Sequence, residues 1–215
     1  MTLFDRLFKT MVTPWVALSV LGFIGLSILF VDKAVALYCH ALALGHYSIV
    51  LRGITVLGFA PMYIGVLIAL LFFFRYVRRS KDQENRVWFL LLCFSLSNVI
   101  CLVLKITLGR ARPALLFDQQ IYGFYGLHKH AAYWSFPSGH TTTVMSLAFG
   151  LCVLFPRYCY AFIGLGLSVV VSRVVLTEHY LSDVVMAMDL VILEIGLLLY
   201  WMRRNAWLSS VYRTR

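Results

Sequence analysis

Long apolar blocks alternate with short polar connections along almost the whole chain. Six blocks of roughly 20 residues stand out, at about 13–31, 53–74, 86–108, 138–156, 158–178 and 183–202. A helix rises 1.5 Å per residue, so each block is long enough to cross the roughly 30 Å hydrocarbon core of a bilayer. The pattern predicts an all-α, polytopic membrane protein, with six transmembrane helices bundled in a single domain over residues 1–215.

The connection between the first two blocks is less regular. Its apolar run, Ala34–Leu44, is too short to span a bilayer and is bounded by Lys33 and His46. We expect an interfacial helix lying along the membrane surface there. Pro61 falls inside the second block, and we expect it to kink that helix, because proline removes a backbone hydrogen bond.

Composition narrows the class of protein further. Hydrophobic residues make up 61% of the chain and charged residues 13%, whereas a soluble domain carries about 25% charged residues. The net charge of +10 would suggest nucleic-acid binding in a soluble protein. Here the basic residues stand at block ends, so we expect no nucleic-acid partner. The five cysteines form no CxxC pair and are interpreted as small core residues, not as a disulfide framework.

The lysines and arginines also predict the orientation of the chain. Twelve of the 19 fall on the same side as the two termini, and seven fall on the other. Positive residues favour the cytoplasm, so both termini are expected there. The 109–137 loop and the turn near 179–183 then share the opposite face. The first block follows Arg6 and Lys9 without a small-residue cleavage site, so we expect it to remain as a signal anchor.

The first of three polar motifs on that face is Lys105-Ile-Thr-Leu-Gly-Arg-Ala-Arg112-Pro113. On a continuous helix, Lys105 and Arg112 differ by only about 20° around the axis, and Pro113 then ends the helix. Two cations on one stripe suit a dianionic phosphate. Taken alone, the pair is equally compatible with two side chains that snorkel to the interface.

The second motif, Phe136-Pro137-Ser138-Gly139-His140, immediately precedes the fourth block. Ser138 is a natural helix N-cap, and Gly139 lets the backbone approach a ligand closely. Free N–H groups and the positive end of the helix dipole favour an anion at this position. His140 would stand there ready to give up a proton. An ordinary helix cap is the simpler interpretation of Ser138 alone.

The third motif is Ser172-Arg173-Val-Val-Leu-Thr-Glu178-His179-Tyr-Leu-Ser-Asp183. Asp183 follows His179 by four residues, so one helical turn would bring the carboxylate to the imidazole. A carboxylate bonded to one ring nitrogen leaves the other nitrogen free to attack. Arg173 adds a planar fork that suits phosphate oxygens. The alternative is a His–Asp pair that only ties the fifth span to the sixth.

The order and spacing of these motifs resemble the three-part signature of the type 2 phosphatidic acid phosphatase superfamily. The matching residues run from 105 to 183, as Lys105-x6-Arg112-Pro113, Pro137-Ser138-Gly139-His140 and Ser172-Arg173-x5-His179-x3-Asp183. The six predicted spans are similar to those of the membrane members of that family. The resemblance implies a lipid phosphatase with a PAP2-like bundle.

The resemblance also implies roles for individual residues. His179 would form a phosphohistidine, Asp183 would orient it, and His140 would protonate the leaving oxygen and later assist water. The phosphoryl oxygens would be held by Lys105, Arg112, Ser138, Gly139 and Arg173. This mechanism is metal-independent, so no metal and no cofactor are expected. The partners are the bilayer and a phosphorylated lipid, and the site would lie on the periplasmic side of a bacterial inner membrane.

Three acidic residues stand outside these roles. Glu178, beside His179, would oppose a phosphate unless it points away, and we interpret it as an interfacial residue facing water. Asp189 and Glu194 lie inside the sixth block, where a carboxylate is costly and usually has a partner. For Glu194 we expect a protonated, hydrogen-bonded side chain within the bundle.

Several functions remain open at this stage. A phosphotransferase with a second lipid as acceptor shares the first half-reaction. A haem-binding electron carrier could use His140 and His179 as axial ligands, but it leaves Lys105, Arg112 and Arg173 unexplained. A phospholipid transporter or flippase could use the same cations but does not need a His–Asp pair. Vanadate-dependent haloperoxidases have a similar set of residues, but they are soluble, which the six predicted spans exclude. Candidate substrates are phosphatidic acid, phosphatidylglycerol phosphate, a polyprenyl diphosphate and lipid A.

Overall fold

The computed structural model describes residues 2–42 and 49–208, and the part of the chain that it describes is helical without a β-strand. This confirms the all-α prediction. In chain order the helices are α1 (Leu3–Met11), α2 (Pro14–Leu26), α3 (Asp32–Ala41), α4 (Ile49–Val56), α5 (Ala60–Phe72), α6 (Lys81–Leu108), α7 (Pro113–Gln119), α8 (Gly139–Leu154), α9 (Cys159–Val175) and α10 (Leu181–Arg204). Two π-helical segments, Ser27–Val31 and Phe73–Val77, join α2 to α3 and extend α5.

Five helical stretches are long and apolar enough to cross a membrane. They are Pro14–Leu42, Ala60–Val77, Lys81–Leu108, Pro156–Val175 and Leu181–Arg204, and α8 is a shorter apolar helix. The six predicted blocks therefore correspond to five long spans and α8. Helix α8 packs against α6, α9 and α10, and its residues 141–150 are all buried. It is the centre of the bundle.

The prediction of a surface helix between the first two spans is wrong for residues 34–42, the part of that segment that the structure describes. Helix α3 continues the first span without a break, and residues 43–44 of the predicted segment lie outside the described residues. The charge at Asp32 does not end the helix, because its carboxylate is fully buried and accepts a hydrogen bond from Ser27 Oγ at 2.8 Å. A buried charge with bonded partners is tolerated within a helix.

The second span also differs from its prediction. Helix α4 ends at Val56, and α5 begins at Ala60 with Pro61 in its first turn. Proline is favoured at this position, because the first N–H groups of a helix have no acceptor within it. Pro61 therefore begins the spanning helix and does not kink it.

The interpretation of the cysteines as core residues without a disulfide is only partly correct. Cys93 and Cys101 are free and buried in the bundle, as core residues. Cys152 and Cys159 instead form a disulfide across the turn between α8 and α9. A seven-residue spacing around a tight turn carries no recognisable motif, so the sequence did not predict this pair.

The start of α1 and the end of α10 lie at the same end of the bundle. Helix α1 packs against α8 and α10, and Asp5 forms an ion pair with Arg203 at 2.9 Å. Thr2 and Asp5 form a reciprocal capping box that begins α1. The three motif segments therefore meet at the opposite end, where α6 ends and α8 and α10 begin.

Candidate active site

Hydrogen bonds to backbone carbonyl oxygens bring the three motifs together. The Ser138 N–H donates to the carbonyl oxygen of Asp183 at 3.1 Å, which joins the second motif to the third. Lys105 Nζ donates to the carbonyl oxygen of Trp134 at 2.7 Å, which joins the first motif to the segment before the second. The convergence that the sequence predicted on one face is therefore present in the structure.

His179 and Asp183 form the pair that their spacing suggested. The imidazole Nδ1 lies 3.4 Å from Asp183 Oδ2, and both side chains are buried. His179 precedes α10, and Tyr180 is the N-cap of that helix, so the contact crosses a helix start. Because Asp183 is an acceptor, Nδ1 carries the proton and Nε2 keeps its lone pair.

Asp183 is held from several directions. Its Oδ2 accepts hydrogen bonds from Ser135 Oγ at 2.6 Å and from the Tyr180 N–H at 2.9 Å, and its Oδ1 accepts one from Arg110. A carboxylate with this many donors remains ionised and fixed in orientation. It can therefore orient His179 without a change in its own position.

Sequence reasoning missed Arg110 and Asp32 as parts of this site. Arg110 is fully buried and bridges Asp183 to Asp32, whose Oδ2 lies 2.7 Å from Arg110 Nη2. Asp32 also accepts a hydrogen bond from the Ser182 N–H at 3.0 Å. The first span thus contacts the machinery around His179. One signal was present: Asp32 directly follows the first apolar block, and a carboxylate near a membrane-crossing helix usually has a partner.

Lys105 and Arg112 do not share a helical stripe, which corrects the sequence-based prediction. Helix α6 ends at Leu108, and Gly109 follows in the left-handed conformation with φ of 53°. A Cβ at Gly109 would collide with the carbonyl oxygen of Gly126, so the turn requires glycine there. Pro113 begins a new helix, α7. The sequence assumed a continuous helix that this turn interrupts.

Lys105 and Arg112 nevertheless lie near both histidines, and each interacts electrostatically with His140 and with His179. Arg173 is 5% exposed at its side chain and donates from Nη1 to Thr55 Oγ1 at 3.0 Å. Three cations therefore lie close to one or both of the imidazoles, an arrangement that is chemically compatible with an anion.

The start of α8 is built as the motif suggested. Ser138 is the N-cap, and its side chain accepts from the Thr141 N–H at 3.5 Å. The N–H groups of Gly139 and His140, at the first helical positions, have no acceptor within the helix. Lys105 lies over Gly139, where an added Cβ would be 3.4 Å from Lys105 Cε. Ser138 itself is fully buried, so it supports the turn more directly than it can contact a ligand.

Gly58, in the turn between α4 and α5, was not singled out from the sequence. A Cβ at Gly58 would lie 2.6 Å from Cδ2 and 2.8 Å from Cβ of His140. The backbone of this turn therefore lies directly against the side chain of His140 and fixes one side of it.

Burial controls the charge of His179. It lowers the pKa of the imidazole to about 3, and the nearby Lys105 and Arg112 act in the same direction, while Asp183 partly opposes the shift. His179 is therefore neutral at physiological pH, the form in which an imidazole nitrogen is a nucleophile.

Glu178 does not simply face water. Its Oε2 lies 3.5 Å from Arg112 Nη1 and 3.4 Å from Arg173 Nη2, although its side chain is 47% exposed.

Within residues 2–42 and 49–208, no group of three or more His, Cys, Asp or Glu side chains is placed to hold a metal ion. Glu194 is buried, with Oε2 unbonded among the described residues.

The fold and the site define a class: an all-helical membrane protein with a histidine–aspartate pair beside three cations. A family model described as the PAP2 superfamily matches residues 86–207. The chain belongs to the PAP2 superfamily, which confirms the resemblance seen in the motifs.

Individual relatives were found both among curated proteins and among solved structures. A lipid A 1-phosphatase of Rhizobium etli is 40% identical over 111 residues, covering 50% of this chain and 48% of that protein. The same-named protein of Rhizobium johnstonii is 39% identical over 111 residues, covering 50% of this chain and 46% of that protein. The chain thus spans about half the length of these curated relatives. A crystal structure of a transmembrane PAP2 type phosphatidylglycerolphosphate phosphatase from Bacillus subtilis matches with a TM-score of 0.53, covering 99% of this chain and 95% of that one at 20% identity. It shows a shared fold.

Proposed function

We propose that this chain is a metal-independent lipid phosphatase that removes a terminal phosphate through a phosphohistidine on His179. The observation that carries the proposal is the buried His179–Asp183 pair, with Nδ1 held by the carboxylate and Lys105 and Arg112 nearby. A neutral imidazole with an oriented free nitrogen is a nucleophile, and adjacent cations stabilise the charge on a transferring phosphoryl group. A transporter needs the cations but not this pair.

The proposed reaction has two steps. In the first, His179 Nε2 bonds to phosphorus as the bond from phosphorus to the lipid oxygen breaks. His140, which the negative charge of the bound phosphate favours in its protonated form, gives its proton to that oxygen. In the second, water attacks phosphorus and gives a proton to His140, while the phosphorus–nitrogen bond breaks. Inorganic phosphate leaves, and both histidines return to their starting state.

Separate groups would hold the phosphoryl oxygens during both steps. Lys105, Arg112 and Arg173 supply positive charge, and the N–H groups at the start of α8, at Gly139 and His140, supply donors. Ser138 supports this arrangement as the cap of α8. Asp183 keeps His179 in the reactive tautomer, with Arg110 and Ser135 fixing the carboxylate in turn.

The proposed substrate is a membrane lipid with a terminal phosphate monoester. A lipid A-type phosphate is the first candidate, because the two similar curated proteins carry that name. The proposed topology has both termini in the cytoplasm and the site on the periplasmic face. It is supported by the distribution of Lys and Arg and by the position of the site at the end of the bundle opposite α1.

The test is phosphate release by detergent-purified protein from lipid A, phosphatidic acid, phosphatidylglycerol phosphate and a polyprenyl diphosphate, with EDTA present. His179→Ala should abolish release. His130→Ala, which changes an exposed histidine in the 109–137 loop, is the matched control and should retain it. Brief reaction with ³²P-labelled lipid should leave an acid-labile label on wild-type protein and none on His179→Ala.

Three other outcomes of this experiment would contradict or change the proposed function. Release that persists in His179→Ala would refute the phosphohistidine. Labelled protein that releases phosphate only when a second lipid is added would indicate a phosphotransferase. A folded protein that neither labels nor releases phosphate would refute catalysis on these lipids.

A further inference from the structure

The Glu178 carboxylate bridges two of the three cations of the site. One carboxylate oxygen, Oε2, lies within 3.5 Å of both Arg112 Nη1 and Arg173 Nη2. These are two of the three cations that the proposed mechanism assigns to the phosphoryl group. A carboxylate on paired arginines makes the same kind of contact that a phosphate oxygen would make.

The backbone keeps Glu178 close to these arginines. The N–H groups of Glu178 and His179 both donate to the carbonyl oxygen of Arg173, at 3.1 and 3.2 Å. Thr177, immediately before, has a positive φ of 55° that turns the chain at the end of α9. The side chain of Glu178 is nevertheless 47% exposed, so it has open space into which it can move.

The two arginines are incompletely bonded in this arrangement. The Nε atoms of Arg112 and Arg173 are buried and have no hydrogen-bond partner among the described residues. One carboxylate oxygen therefore leaves donors unused, whereas a phosphate presents three oxygens and up to two charges. A phosphate monoester can replace the carboxylate and gain both charge and hydrogen bonds.

We propose that Glu178 is an internal competitor for the phosphate site, whose carboxylate bridges Arg112 and Arg173 until a phosphoryl group displaces it. This inference rests on the proposed function, because it takes these arginines as the phosphate ligands. Because every anion must displace the Glu178 carboxylate from the two arginines, the affinity of the site for each anion is lowered by a similar factor. A dianionic monoester still binds, while weakly bound anions are excluded.

This common loss of affinity has its main functional consequence for two kinds of ligand. Bulk phospholipids carry a phosphodiester with a single charge and greatly outnumber any phosphorylated substrate in the bilayer. Inorganic phosphate, the product, must leave before the next turnover. Glu178 therefore limits inhibition by the surrounding membrane and assists product release. Both ion pairs are partly exposed and therefore individually weak, so removal of both should tighten anion binding about tenfold, which corresponds to about 1.4 kcal/mol.

The experiment compares wild-type protein, Glu178→Gln and Asp118→Asn. Asp118 is an exposed acid in α7, so its variant matches the change in net charge. Inorganic phosphate is titrated while the thermal unfolding of the detergent-solubilised protein is followed, which requires no turnover. Where lipid phosphatase activity is present, inhibition by phosphate and by dihexanoyl phosphatidylglycerol is measured as well.

Glu178→Gln should bind phosphate about tenfold more tightly than wild type, with a lower inhibition constant for both inhibitors, and Asp118→Asn should match wild type. Equal or weaker binding in Glu178→Gln would overturn the proposal, as would an equal gain in Asp118→Asn. If no lipid is dephosphorylated yet Glu178→Gln binds phosphate more tightly, the competitor stands and the proposed catalysis fails.

Discussion

Gly58→Ala tests whether the turn before α5 positions His140 for catalysis. The added Cβ would lie 2.6 Å from His140 Cδ2 and 2.8 Å from its Cβ, whereas carbon atoms in contact are about 3.5–4.0 Å apart. The two segments must therefore separate by about 1 Å. Rotation of the imidazole cannot relieve the contact with Cβ, so the backbone at the start of α8 has to move.

This displacement should reduce both turnover and stability. Misplacement of a reacting group by about 1 Å can cost about a hundredfold in rate, so we expect kcat for phosphate release to fall by about that factor. Overpacking should cost about 1–3 kcal/mol of unfolding free energy. Gly53→Ala in α4 is the matched control, because a Cβ there meets no atom within 4 Å, and its kcat should equal that of wild type.

The assay is lipid phosphatase activity at saturating substrate, with thermal unfolding as the check on folding. The same change is then made together with His140→Ala. If Gly58 acts through His140, Gly58→Ala should cause no further loss in that background, because the group it displaces is already absent. A full kcat in Gly58→Ala, or a further hundredfold loss in the double variant, would refute the reasoning.

Two further predictions concern the buried charges. Asp32→Asn should destabilise the solubilised protein by about 3–5 kcal/mol, because it removes one partner of a buried ion pair. Asp189→Asn, the same change at a half-buried site in α10, should cost much less. Equal shifts in the thermal unfolding of the two variants would contradict a stabilising role of the Asp32 ion pair. The second uses the lowered pKa of His179, about 3 against 6.5 for a free imidazole: the unfolded chain binds a proton that the folded chain does not. The free energy of unfolding should therefore fall between pH 6.5 and 4.5 by up to about 1.4 kcal/mol per pH unit, more steeply in wild type than in His179→Gln, and parallel pH profiles would show that His179 titrates normally.

The helical class and the meeting of the three motifs could be predicted because both depend on local patterns. Apolar blocks identify membrane-crossing helices from their length alone, and the four-residue spacing of His179 and Asp183 places them within one turn of chain. The site residues themselves remain predictions until activity is measured. The stripe proposed for Lys105 and Arg112 failed because Gly109 adopts a left-handed conformation, which periodicity alone cannot anticipate.

The missed contacts are those made across the fold. Arg110 contacts Asp32 from 78 positions away along the chain, and Gly58 contacts His140 across the bundle. Neither has a local signature, since a tertiary contact leaves no period in the sequence. The interfacial assignment of residues 34–44 failed for a related reason. Lys33 was interpreted as a helix boundary, but the neighbouring Asp32 is paired with the distant Arg110, and the helix continues through both positions.

The ion pair of Asp32 and Arg110 has a consequence for biogenesis. The first span must enter the bilayer while its buried aspartate still lacks its partner, because Arg110 is synthesised 78 residues later. An acidic residue in a helix that crosses the membrane centre opposes insertion by about 2.5–3.5 kcal/mol, although a position nearer the helix end reduces this cost. The flanking apolar residues must overcome it alone, and α6 must then arrive before the first helix is fixed in place. Late pairing of this kind makes correct assembly of the first span a checkpoint that the chain can pass only after synthesis has reached Arg110, about halfway along the sequence.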